Sequence, residues 1–165
     1  MEDKIKTEDK INLDELKQEY GKFKDKWGLP EFNELNKFFD VEEIDVETDF
    51  LLRKIRRIVS DRISGYLRFI EVILNPSNAP MFIFKLIKKI EEEDKKKLTE
   101  IYNILGEFEL EIVKLDLDYN ETKEAEFIKK VYKILSEDIS KKLLIIVDKM
   151  SNGGEIKKER GSYFG

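Results

Sequence analysis

The chain has 165 residues, no cysteine and no histidine, and 41% of it is charged, for a net charge of −5 at neutral pH. Disulfides and thiolate chemistry are therefore excluded, and the commonest general base and metal ligand is missing. Such a length suits one domain with a core that needs no staples, and an acidic balance disfavours nucleic acid or anionic membrane as default partners.

The apolar period is helical almost throughout. Residues 1–11 are charged, lack the apolar stretch of a secretory signal, and are expected to be a flexible N-terminus. Asn12 with Glu15 has the spacing of a capping box and opens a first helix over 13–27. Trp27-Gly28-Leu29-Pro30 breaks it, and Pro30 suits the first turn of a short second helix, 30–39. The block 40–49, DVEEIDVETD, holds six acids and no base, and its first nine residues read as a loop. Thr48 is placed to cap a long third helix, 49–74, with Glu47 and Asp49 at its positive end.

NPSNAP (75–80) carries two of the three prolines and stops that helix. Asn78 is expected to cap a fourth helix over 79–90, and a fifth follows over 94–118. Asp118-Tyr119-Asn120 turns the chain, with Asn120 as the N-cap of a sixth helix over 121–150. Gly153-Gly154 reads as its C-cap, and 153–165 as a flexible tail whose Tyr163 and Phe164 form either a docking peptide or an inert end. No repeat and no defensible strand occurs. The elements predict an all-α fold: a single-domain helical bundle of five to six helices over 12–152, framed by the third, fifth and sixth. No apolar run approaches the ~18 residues that span a bilayer, so no membrane is expected and the expected location is cytoplasmic.

Charge is unevenly distributed. Five of six arginines, Arg53, Arg56, Arg57, Arg62 and Arg68, fall within 16 residues of the third helix and leave residues 53–68 at +5. At 100° per residue, Arg53, Arg57 and Arg68 share the side opposite the apolar face, with Ser60 and Ser64 between them. Arginine differs from lysine in its planar fork, which binds carboxylate or phosphate in bidentate fashion. The stripe reads either as a docking surface or as a solvated face that answers the acidic block.

Arg62 falls near the middle of the apolar arc and so requires an anionic partner or a route to water. On the fifth helix, Glu109 and Asp116 lie within the apolar face, two turns apart. They are the expected partners, and Arg62, Glu109 and Asp116 form the expected buried polar cluster. Met81 and Phe82 begin a short segment that is apolar all round, which either plugs the bundle end or exposes both side chains to a partner.

Residues 116–127 begin D-x-D-x-N, the first half of a calcium loop. Glu121 stands where a glycine is needed and Phe127 where a bidentate glutamate is needed, so no metal is expected. No phosphate-binding glycine loop or nucleophile motif occurs, and no cofactor is expected. The sequence points to a non-enzymatic protein–protein interaction module, or small subunit of an assembly, that binds through Arg53, Arg57, Arg68, Met81 and Phe82. Two alternatives stand beside it: a nucleic-acid-associated factor that uses the same arginines on phosphates, and an enzyme or ligand carrier with a polar pocket at Arg62, Glu109 and Asp116.

Overall fold

The computed structural model describes residues 2–44 and 49–152. The first helix, α1, runs Glu2–Trp27. It starts well before the expected capping box, so Asn12 lies inside it and residues 2–11 are helical. Nothing in that segment breaks a helix: it has no Gly or Pro and is rich in Lys and Glu, which are strong helix formers. Its end is as expected. Gly28 takes the left-handed conformation (φ 64°), and the amides of Gly28 and Leu29 both return to the Lys24 carbonyl.

Helix α2 (Phe32–Phe39) buries Phe32, Leu35 and Phe39, one face at helical spacing. The Tyr20 hydroxyl donates to the Pro30 carbonyl at 2.7 Å and ties α1 to the connecting turn. Asp40 ends α2 at φ 53°, a conformation its short polar side chain tolerates, and a 3₁₀ turn, Val41–Glu43, follows. Thr48 and Glu47, expected at the start of the next helix, lie outside the described residues, as does the 153–165 tail.

Helix α3 (Leu51–Leu74) starts after Phe50, which has a left-handed φ of 58°. A 3₁₀ turn, Pro76–Asn78, connects it to α4 (Met81–Ile87). The expected cap at Asn78 is not used; Pro80 occupies the cap position. A residue before proline is pushed out of the helical region, so Ala79 is extended and the helix cannot begin there.

Helix α5 (Glu92–Leu117) opens with a reciprocal box that the charge run concealed. The Glu91 side chain accepts from the Asp94 amide, and Asp94 accepts from the Glu91 amide at 3.1 Å. Helix α6 (Glu121–Ile134) is capped as expected, Asn120 accepting from the Lys123 amide at 3.0 Å. A five-residue π turn, Leu135–Ile139, then leads without a break into α7 (Ser140–Asn152).

The architecture is an all-α helical bundle, with no strand among the described residues. Helix α3 lies at its centre and packs most extensively on α5 and then α6. Leu52, Ile55, Val59, Ile63 and Ile70 of α3 meet Leu98, Ile101, Leu105 and Phe108 of α5 and Phe127, Ile128 and Val131 of α6 in one continuous core. Burying each such aliphatic side chain contributes about 1.5–3 kcal/mol, against at most ~1 kcal/mol for an exposed ion pair. The core therefore dominates the fold. No helix among the described residues is long and apolar enough to cross a membrane.

The π turn keeps the last rod on this core. Buried positions recur at Glu124, Ile128, Val131, Leu135, Ile139, Leu143, Ile146 and Met150, with three consecutive steps of four around the turn. Over that span an unbroken α-helix would drift roughly 80° from the core, and one wide turn absorbs the difference. The far end is pinned by Lys149, which donates to both oxygens of buried Asp94 at 2.9 and 3.0 Å, and by Lys89, which donates to the Met150 carbonyl.

The hydrogen bond from Lys149 holds the Asp94 carboxyl below its ordinary value. A depressed folded-state pKa contributes stability that is complete above the unfolded value and is lost as pH falls through the folded one. Asp94→Asn should therefore lower the urea midpoint at neutral pH. The gap to the unmodified chain should close as pH falls from about 4 through the lowered value.

Candidate functional site

The arginine segment of α3 resolves into four environments. Arg56 is the buried one, 1% exposed. It points between α5 and α6. Its Nε donates to Glu124 Oε2 at 2.9 Å, and its terminal Nη2 donates to Asp116 Oδ1 at 2.6 Å. Glu124 is fully buried in the first turns of α6, where the helix N-terminus favours its charge. Burial opposes the charged form of Arg56, but its hydrogen bonds to Glu124 and Asp116 outweigh burial and raise its pKa.

Arg53 sits one turn earlier, its guanidinium 4.7 Å from the centre of the Tyr119 ring and its Nε 3.8 Å from Glu124 Oε1. That Nε is buried without a hydrogen bond. Burial raises the Tyr119 hydroxyl pKa, with Arg53 acting against the rise. Arg57 and Arg68 are exposed and, among the described residues, have neither ion pair nor side-chain hydrogen bond.

Arg62 is not the buried arginine. It is part-exposed and donates to Asp40 Oδ2 at 2.7 Å, so it answers the acidic block rather than the core. The expected cluster of Arg62, Glu109 and Asp116 therefore does not form. Glu109 accepts from the Ser64 hydroxyl, and Asp116 goes to Arg56. The reason is geometric. Arg56 and Arg62 each lie roughly 60° round the helix from buried Val59, on opposite sides. Arg62 is nearer the middle of the apolar arc, but helix α6 covers the Arg56 side while the other opens toward Asp40, and helical period does not report where α6 lies. Glu124 went unseen because an acid in a first turn ordinarily serves the helix dipole in solvent.

Arg53, Arg56 and Arg57, with Ser60, Asp61, Ile112 and Asp116, line a surface cleft of about 390 Å³ between α3 and α5. Three guanidiniums face two carboxylates there. The Ser60 hydroxyl donates to the Arg56 carbonyl at 2.8 Å, which leaves its oxygen lone pairs toward its surroundings. Arg68 is not part of this cleft, lying roughly 16 Å further along the axis. Met81, Phe82 and Phe84 are 81%, 61% and 41% exposed, while Ile83 turns inward, so α4 presents three apolar side chains rather than plugging the bundle. The residues that suggested a calcium loop are otherwise engaged: Asp116 with Arg56, Asp118 3.6 Å from Lys123 Nζ, and Asn120 in its cap. A second, almost wholly apolar cleft of about 280 Å³ opens beside the π turn between Phe38, Tyr66, Phe69, Leu143, Leu144 and Val147.

No family model, curated protein or solved structure matches the chain.

The two arginines predict opposite mutational outcomes. Arg56→Ala strands buried Glu124 and should destabilise the fold by about 3–5 kcal/mol. Arg62→Ala removes a part-exposed pair and should cost no more than ~1 kcal/mol. Urea unfolding of both variants measures the difference, and equal losses would refute the assignment of the buried pair.

Proposed function

We propose that this chain is a non-catalytic, cytoplasmic protein–protein interaction module, or small subunit of an assembly, that holds an acidic segment of a partner at the arginine cleft. The observation that carries this reading is Arg57. It stands at the cleft with no ion pair or side-chain hydrogen bond among the described residues, beside arginines that are already fixed in place. Arg53 is held by Tyr119 and Glu124, so little side-chain freedom is lost when a carboxylate arrives. A planar fork then makes two charge-assisted hydrogen bonds where a lysine makes a point contact. Arg68 offers a second cationic contact along the same helix, spanned by roughly five residues of extended partner chain. Met81 and Phe82 offer apolar anchors beyond the C-terminal end of α3.

The test keeps charge and removes geometry. The triple variant Arg53→Lys, Arg57→Lys, Arg68→Lys should cost no more than about 1 kcal/mol of folding stability, the loss of the Arg53–Tyr119 stack, because lysine and arginine have similar helix propensity. Capture of the native partner by affinity purification, with nuclease present, should fall markedly. Unchanged capture would remove the arginines from the interface. Direct titration with duplex DNA across a salt series addresses phosphates as the anion. Affinity that falls with a log–log slope of roughly −0.9 per contact would assign the arginines to nucleic acid instead.

A further inference from the structure

Helix α5 carries an apolar stripe that its own chain does not cover. Leu110, Val113 and Leu117 are 68%, 52% and 83% exposed. They are spaced by three and four residues and so form one line, on the side away from Leu105, Phe108, Ile112 and Leu115 in the core. Gly106 continues that line one turn earlier. A glycine inside a helix is destabilising relative to alanine, and a Cβ at Gly106 would meet nothing within 4 Å. Packing within the chain therefore gives no reason for it. Gly21 and Gly65 share that open space, but only Gly106 lies in register with an exposed apolar stripe.

Charged residues border the stripe on the side toward α6, Glu107 and Lys114 among them. Glu107 and Lys114 both line, with Leu110 and Leu117, an open cleft of about 740 Å³ between α5 and α6. Neither has an ion pair or side-chain hydrogen bond among the described residues. Their opposite signs, seven residues apart, make the face complementary to itself when it is turned end for end.

We propose that this face binds a second copy of the chain, α5 against α5, antiparallel about a two-fold axis. In the register that sets Leu110 against Val113 of the second copy, Leu117 of the second copy falls over Gly106. The missing Cβ admits that leucine and lets the helices approach. Glu107 then lies beside Lys114 of the second copy, and the two-fold axis repeats the contact with the roles exchanged. The arginine cleft plays no part, so this interface stands or falls independently of it.

Sedimentation velocity on the full chain from micromolar to millimolar concentration tests the interface. A concentration-dependent monomer–dimer equilibrium is expected. Lys114→Glu and Glu107→Lys each turn two attractions into repulsions and should weaken dimerisation about tenfold. The double variant Glu107→Lys, Lys114→Glu should restore it. Gly106→Leu fills the space meant for the incoming leucine and should also weaken dimerisation. Because it raises helix propensity, its melting temperature shows that the loss is not one of folding. A chain that stays monomeric throughout, or a dimer indifferent to the single charge reversals, would overturn the proposal.

Discussion

One ion network, centred on a buried arginine, fixes how the helices of this bundle lie against one another. A guanidinium that has left water needs anions at hydrogen-bonding distance, and Arg56 finds two, Glu124 from α6 and Asp116 from α5. Apolar helix faces alone tolerate some sliding, because one aliphatic side chain fits almost as well as another. A planar fork that must meet Glu124 and Asp116 does not. The network therefore sets how far α6 and the end of α5 lie along α3. It also draws in the surroundings: Arg53 lies against both Glu124 and Tyr119, and the cleft with the unengaged Arg57 forms on the outer edge of the same cluster.

Helix type and number were legible because periodicity reports them directly, and the cap at Asn120 was legible because its spacing to the first turn is local. What failed was decided either by neighbouring residues or by distant elements. Helical angle favours Arg62 as the buried arginine, but the position of α6 buries Arg56 instead. Asn12 has the chemistry of a cap but sits in a segment with no breaker to end a helix. Asn78 loses to Pro80, whose ring dictates the conformation of its neighbour. Asp94 stands in a run of four acids, 91–94, yet it is buried and paired with Lys149, 55 residues away. Of the candidate site, the arginines of α3 were visible in the sequence, which left open whether Met81 and Phe82 are buried or exposed. Glu124 and Tyr119, which position two of those arginines, were not.

Helix α5 shows how much one amphipathic segment carries. One side fills the core. A second edge faces α3 and supplies Asp116 to Arg56 and Glu109 to Ser64. A third line, with Leu110, Val113 and Leu117, faces away from both. Asp116 and Leu117 are adjacent in sequence but diverge by roughly 100°, so the same turn braces the interior and presents a surface outward. A partner at the arginine cleft and a second copy on the stripe would approach different sides of one helix.

The π turn has a consequence for how this chain tolerates changes in length. Removing one residue from Leu135–Ile139 would let the turn close into ordinary α-helix without breaking the rod. Everything beyond would keep its facing, because the residue removed is the one the wide turn absorbs. Closing the turn with every residue kept would instead rotate all that follows by roughly 100°, taking the Met150 carbonyl from Lys89 and Lys149 from Asp94. Two helical lengths with opposite demands on phase are thus joined by a single supernumerary residue, which acts as a mechanical offset between the Glu124 end of the rod and the Lys149 end.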